Sequence, residues 1–202
     1  MPRIGAEPVR RQSLIDAAIS LIGEQGSLEV SVKDIARRAG MSPALAFHYF
    51  GDKDAMIVAT MRHLLAAYSR EVADGLERTA SPRARLETVI KASFSPTQFD
   101  QPTIAAWLVF YLRAYSSADA RRLLDIYARR LRSNLMAGFR PLLGDPAAEE
   151  AAKTVAALID GFYIRHALRQ DGPDAGEAIR LCLAILDRIL GGRANSDPGG
   201  LQ

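Results

Sequence analysis

From Arg10 onward, Leu14, Ala17, Ala18, Leu21 and Ile22 recur at three- and four-residue spacing, one face of a helix that Gly26 stops. Ser31 precedes Val32, Ile35, Ala36 and Ala39, and Asp34 stands at the capping-box spacing from it with a shorter acid than usual. This is a short second helix, closed by Gly40. Ser42 then offers an N-cap oxygen and Pro43 the first helical position, where a missing N–H costs nothing; a third short helix runs to about Tyr49. After the turn Gly51-Asp52-Lys53, the apolar set Ala55, Met56, Ala59, Met61, Leu64, Leu65, Tyr68 and Val72 predicts a helix to about Leu76, long enough to join two domains. Ser81-Pro82 opens a helix carrying Leu86, Val89 and Ile90 that ends before Ser95-Pro96. Phe94–Thr103, with two prolines, reads as a connector. Thr103–Tyr115 reads as an apolar, aromatic helix, and Ser116–Leu143 as an amphipathic one with arginines on its wet face, ended by Pro141 through Pro146. Ala147–Arg169 and Asp174–Leu190 are the last two, parted by Gly172-Pro173.

No stretch alternates with period two for long enough to make a strand, so the expected class is all-α with about nine helices. The expected division is a small N-terminal helical unit at 1–53, a body at 54–190, and a tail at 191–202 whose Gly, Asn, Ser, Asp and Pro can bury nothing and predict disorder.

With 202 residues, 49% hydrophobic and 24% charged, the chain is long enough for a real core, and disorder is not its default. A net charge of +3 says little by itself, so a nucleic-acid footprint has to be a local cluster. The single cysteine, Cys182, lies in an apolar run, with no disulfide partner and no companion metal ligands. No stretch approaches the roughly 18–20 apolar residues that cross a bilayer. The N-terminal Met1–Gln12 is polar and basic. The expectation is a soluble cytoplasmic protein without membrane, metal or cofactor. His48, His63 and His166 are far apart, and there is no phosphate-cradling glycine loop or nucleophile elbow, which argues against an enzyme.

Two short helices joined across Ala39-Gly40-Met41 have the spacing of a helix-turn-helix, whose second helix enters the major groove of double-stranded DNA. Leu45 and Ala46 are expected to face back towards Leu14, Leu21 and Ile35, leaving Pro43, Ala44, Phe47 and His48 outward. Arg3, Arg10, Arg11, Lys33, Arg37, Arg38 and Lys53 lie around them and can neutralise phosphates, and the helix N-terminus at Ser42 favours a phosphate too. His48 and the pair Tyr49-Phe50 could instead be core aromatics. The runs Val32-Lys33-Asp34-Ile35-Ala36, Ala39-Gly40-Met41-Ser42 and His48-Tyr49-Phe50-Gly51-Asp52-Lys53-Asp54 resemble the TetR family of transcription regulators. The resemblance implies that Lys33 reaches a base edge or phosphate, that Pro43, Ala44, Phe47 and His48 face the groove, and that Tyr49 and Lys53 hold phosphates. The position of Phe47 is often tyrosine in the family; phenylalanine cannot bond a phosphate but can touch a thymine methyl.

In the body, Trp107, Phe110, Tyr111 and Tyr115 fall at helical spacing, and Phe162 and Tyr163 add further rings; such a stripe is either core or pocket wall. The runs Met1-Pro2-Arg3-Ile4-Gly5, Pro8-Val9-Arg10-Arg11-Gln12, Ala59–Leu65, Arg130–Leu135 and Ala157–Gly161 are similar to the BetI subfamily, choline-sensing repressors of glycine betaine synthesis. That resemblance implies an inducer of the choline class. A trimethylammonium head needs aromatic faces, each worth about 0.5–2 kcal/mol. Trp107, Phe110, Tyr111, Tyr115 and Tyr163 are the candidates, with Asp160 or Asp100 as counter-charge and Arg113 expected to point to solvent. A TetR-type regulator of an efflux or catabolic gene with another ligand is the alternative. Ala152, Val155, Ala156, Ile159 and Tyr163 form one stripe, and Ile179, Cys182, Leu183, Leu186 and Leu190 another. Two such helices per chain suit a four-helix homodimer interface, or a core within one chain.

Overall fold

The computed structural model of the chain describes residues 6–27 and 29–191. These residues form nine α-helices and no strand: α1 (Ala6–Gln25), α2 (Val32–Arg38), α3 (Pro43–Phe50), α4 (Lys53–Leu76), α5 (Pro82–Ser93), α6 (Gln101–Ser116), α7 (Ala118–Leu143), α8 (Asp145–Ala167) and α9 (Ala175–Gly191). Arg3 and residues 192–202 of the expected tail lie outside the described residues. Among the described residues no helix is long and apolar enough to cross a membrane.

The chain divides into two compact units, Met1–Ala67 with Asp100–Asp125, and Tyr68–Phe99 with Ile126–Gln202. In the first, Leu14, Ile22, Ile35, Met56, Met61, Ile104 and Phe110 are fully buried. Helix α6 packs along α1. Their closest approach is at Gly23, where a Cβ would lie 2.3 Å from the Cα of Pro102, so only glycine fits. In the second unit, Leu86, Ile90, Phe94, Leu131 and Phe139 are buried, and α9 packs on α5 and α8. Burial pushes the Cys182 thiol up to about 12, so it is an inert core group.

Helices α1 and α6 begin earlier than the periodicity reading has them, each for a local reason. Helix α1 begins at Ala6, because the polar run before Arg10 carries Glu7 in the first turn and Pro8 where no backbone donor is needed. Helix α6 begins at Gln101, inside the expected connector, with Asp100 as its N-cap accepting from the Thr103 N–H at 2.8 Å and Pro102 in the first turn. Helix α7 runs through Pro141 to the expected end at Leu143: so close to the end, the ring costs the ladder a single bond. It stops where Gly144 turns to φ 74° and donates to the Arg140 carbonyl at 3.0 Å.

Candidate nucleic-acid interface

Helices α2 and α3 are set by their caps. The Ser31 hydroxyl donates to the Asp34 carboxylate at 2.6 Å while its oxygen accepts from the Asp34 N–H at 3.1 Å. The chain then reverses over Gly40, at φ 68°, with the Met41 N–H donating to the Ala36 carbonyl at 2.8 Å. Ser42 caps α3 by accepting from the Leu45 N–H at 3.3 Å, and Pro43 follows it. Only Ala46 and Phe50 of α3 are buried. Pro43, Ala44, Phe47 and His48 are exposed, Phe47 by 48%, while Leu45 and Tyr49 are half-buried. A partly aromatic face without lysine, arginine or carboxylate is therefore turned outward, from Pro43 at the helix N-terminus to His48 in the last turn.

The cations around α3 fall into two sets. Arg37 is held by Asp34 at 2.6 Å, and Arg38 bonds Glu24 and the Ser20 hydroxyl. The Ser31 hydroxyl, helped by Arg37, draws the Asp34 carboxyl below its usual range, and Arg38 does the same for Glu24. Arg11 reaches from α1 to the far end of α3, donating to the Tyr49 carbonyl at 2.7 Å with its guanidinium carbon 4.6 Å from the centre of the Phe50 ring. Next to it, Gln12 is 3.2 Å from the His63 ring on α4. Arg11, Arg37 and Arg38 remain exposed despite these bonds; Arg10 and Lys33 are exposed too and Lys53 is half-buried, but these three enter no ion pair among the described residues.

The expected ligand residues fall into two groups. In the first unit, Trp107 and Phe110 are buried, 6.2 Å apart, and Tyr111 is half-buried with its ring 6.4 Å from that of Trp107. Tyr115 is 87% exposed at the end of α6, which takes it off the aromatic stripe and out to the surface. Arg113 does not run free to solvent as expected, because the Asp54 carboxylate at the start of α4 is within 2.5 Å of it. Asp100 is engaged as the α6 N-cap. In the second unit, the Tyr163 hydroxyl donates to the Ser93 carbonyl at 2.5 Å, and the Tyr68 hydroxyl lies 3.3 Å from the Ser93 hydroxyl. Tyr127 donates to the Asp160 carboxylate at 3.1 Å and meets Tyr68 edge to face at 5.7 Å. Burial, reinforced by Asp160, pushes the Tyr68 phenol up to about 12 despite the Ser93 bond, so it stays neutral.

Of the expected dimer residues, Val155, Ile159 and Leu186 have no exposure at all in the single chain. They belong to its own core, since a side chain already out of water has no area to bury against a partner. Ala156, Ile179 and Leu183 are half-buried and keep surface to offer, while Ile164 and Leu168 are exposed towards the end of α8.

Residues 14–60 match the profile of bacterial regulatory proteins of the tetR family, and residues 82–191 that of the BetI-type transcriptional repressor, C-terminal. The chain belongs to the TetR family, in its BetI-type branch. It is 54% identical over 181 residues to the HTH-type transcriptional regulator BetI of Brucella anthropi, covering 90% of this chain and 93% of that protein. To BetI of Rhizobium meliloti it is 46% identical over 197 residues, 98% of this chain and 96% of that one. A transcriptional regulator from Pseudomonas aeruginosa PAO1 shares the fold with a TM-score of 0.79 at 26% identity, over 94% of each chain. So does a regulator from Saccharomonospora viridis solved in complex with choline, with a TM-score of 0.72 at 22% identity over 88% of this chain and 95% of that one.

This BetI-type protein is thus a helix-turn-helix transcriptional repressor, and its relatives are regulators, not enzymes. Sequence reasoning overlooked two features. It grouped Arg11 with the phosphate-neutralising cations, whereas the side chain is docked on α3. It also left out Tyr68, Tyr127 and Ser93, which sit with Tyr163 and Asp160. Tyr68 stood in the apolar stripe of α4, but nothing local pairs it with residues 25 positions away.

Proposed function

We propose that this repressor reads operator DNA as a homodimer through α3 and is controlled by choline or a related quaternary ammonium, regulating genes of glycine betaine synthesis or uptake in the cytoplasm. In functional terms residues 1–53 form the DNA-binding part and 54–190 the sensing and dimerising part. The observation that carries the DNA-reading role is the outward face of α3. Pro43, Ala44, Phe47 and His48 are exposed there, and Lys33 on α2 and Lys53 at the start of α4 stand on the helices that precede and follow it. Those four residues meet base edges, Lys33 a base edge or phosphate, and Ser42, Tyr49 and Lys53 the phosphates. Arg3 is assigned to phosphate on its charge and its place in the basic N-terminal run. For pairing of two copies, the surface belongs to Ala156, Ile179 and Leu183.

The choline reading rests on the resemblance to BetI proteins and on chemistry. Tyr68, Tyr127 and Tyr163 combine ring faces with the Asp160 carboxylate within one unit, the groups a cation without hydrogen-bond donors requires. A second candidate wall is the α6 group of Trp107, Phe110 and Tyr111.

The test is a gel shift of the purified protein on DNA flanking its own gene, with and without choline. Binding that choline weakens or strengthens supports the reading. Binding indifferent to choline keeps the DNA-reading role and removes this ligand. Calorimetry on Trp107→Ala chooses between the two walls: undiminished choline binding assigns the site to the tyrosines.

A further inference from the structure

We infer that Arg11 is a positioning residue for the recognition helix and not a phosphate contact. The inference rests on the reading of α3 as the helix that lies in the groove.

Helix α3 is only eight residues long, and two of them, Ala46 and Phe50, are buried. So short a helix has few contacts to define its tilt. Its N-terminal end is defined by the Ser42 cap. At the other end the chain leaves abruptly at Gly51, φ 83°, and the carbonyl of Tyr49 is one of the last four, which have no partner inside the helix. Arg11 occupies that end in two ways at once. Its Nη1 donates to the Tyr49 carbonyl at 2.7 Å, and its guanidinium carbon lies over the Phe50 ring, 4.6 Å from the ring centre. A cation at a helix C-terminus also meets the favourable end of the macrodipole.

The turn of α1 that carries Arg11 is itself tied down, because Gln12 bonds Asp16 at 2.7 Å and lies 3.2 Å from the His63 ring. Arg11 therefore transmits the position of α1 to the C-terminal end of α3, so that Phe47 and His48 arrive at base edges in register. A planar fork can donate and stack together, whereas lysine offers a single point charge and can satisfy one of the two.

The two roles differ in their dependence on salt and on DNA sequence. A phosphate contact contributes about 0.9 to the slope of log affinity against log salt and acts on any duplex. A positioning residue affects only the sequence-specific mode. The experiment is a fluorescence-anisotropy titration of the full chain at several salt concentrations, on DNA flanking its gene and on a scrambled duplex of equal length, for wild type, Arg11→Gln, Arg11→Lys and His48→Ala.

For Arg11→Gln, the expected result is a loss of specific affinity of about tenfold, the size of one good base contact. Affinity for the scrambled duplex and the salt slope stay as in wild type, and Arg11→Lys, which keeps the charge and the fold, recovers only part of the loss. A salt slope lower by about 0.9, with both duplexes weakened alike, overturns the inference in favour of a phosphate contact. Full recovery by Arg11→Lys overturns it as well. The parallel variant separates the two levels: weakened His48→Ala with unchanged Arg11→Gln refutes the role of Arg11 alone, and unchanged specific affinity in both refutes the reading of α3.

Discussion

Helices α3 and α6 are made of similar material. Each is mainly apolar, carries several aromatic residues, starts from a side-chain cap and has proline in its first turn. Their surroundings differ. Helix α6 lies along α1 and buries Trp107 and Phe110, while α3 turns Phe47 and His48 outward. Hiding a phenylalanine from water is worth about 1.5–3 kcal/mol, a gain α6 takes and α3 forgoes at Phe47. One exposed apolar side chain is ordinary in any protein. An exposed face without lysine, arginine or carboxylate, running from Pro43 at the helix N-terminus to His48 in its last turn, is the composition of a surface that meets bases. What a helix is for is decided here by what covers it.

The sharpest way to break this comparison is to truncate the same ring in both helices. Phe110→Ala is expected to lower the unfolding free energy by about 3–5 kcal/mol, measured by urea denaturation. Phe47→Ala should change it by less than about 0.5 kcal/mol. Equal losses would mean that α3 is packed as α6 is.

Next in size is the seam between α1 and α6. Gly23→Ala drives a methyl into the Pro102 backbone, and overpacking of this kind costs about 1–3 kcal/mol, more than the helix propensity alanine adds. A melting temperature at or above wild type would show that the two helices separate easily. Removing the caps is smaller: Ser42→Ala and Asp100→Ala should each cost about 1 kcal/mol. Only the first should also weaken operator binding, because only its helix meets DNA.

The smallest effect concerns His166, buried on α8, where its Nδ1 accepts from the Asp174 N–H at 2.9 Å. Burial, with Arg169 adding repulsion, lowers its pKa from 6.5, opposed by Glu177 and Asp174. The unfolded chain therefore binds the proton more readily. Stability contributed by the neutral ring is complete above about 6.5 and is lost as pH falls through that value towards the lower folded pKa. His166→Gln, which keeps an acceptor and cannot titrate, should flatten the pH dependence of the urea midpoint in that window. An unchanged profile would show that the loss at acid pH comes from other groups.

The helix-turn-helix was legible because its signals are local. Ser31 with Asp34, Gly40, and Ser42-Pro43 act within three or four residues, and each performs the expected role. The body was legible as helices but not as a site. Tyr163 finds Ser93 across 70 residues and Tyr127 finds Asp160 across 33, and no periodicity encodes such pairings. The stripes of α8 and α9 were visible, yet period alone does not say whether a stripe faces its own chain or another; Val155, Ile159 and Leu186 turned inward. Arg11 is the same lesson for charge. An arginine near a recognition helix reads as a phosphate contact until its aromatic and carbonyl partners are located.

The claim that α3 presents a base-reading face is tested most directly by the double variant Phe47→Ala/His48→Ala, with operator Kd and thermal midpoint measured on the same preparation. The account predicts an unchanged midpoint, retained weak binding to unrelated DNA, and operator affinity reduced by about 10- to 100-fold, the scale of one or two lost base contacts. Wild-type operator affinity in that folded variant would contradict it.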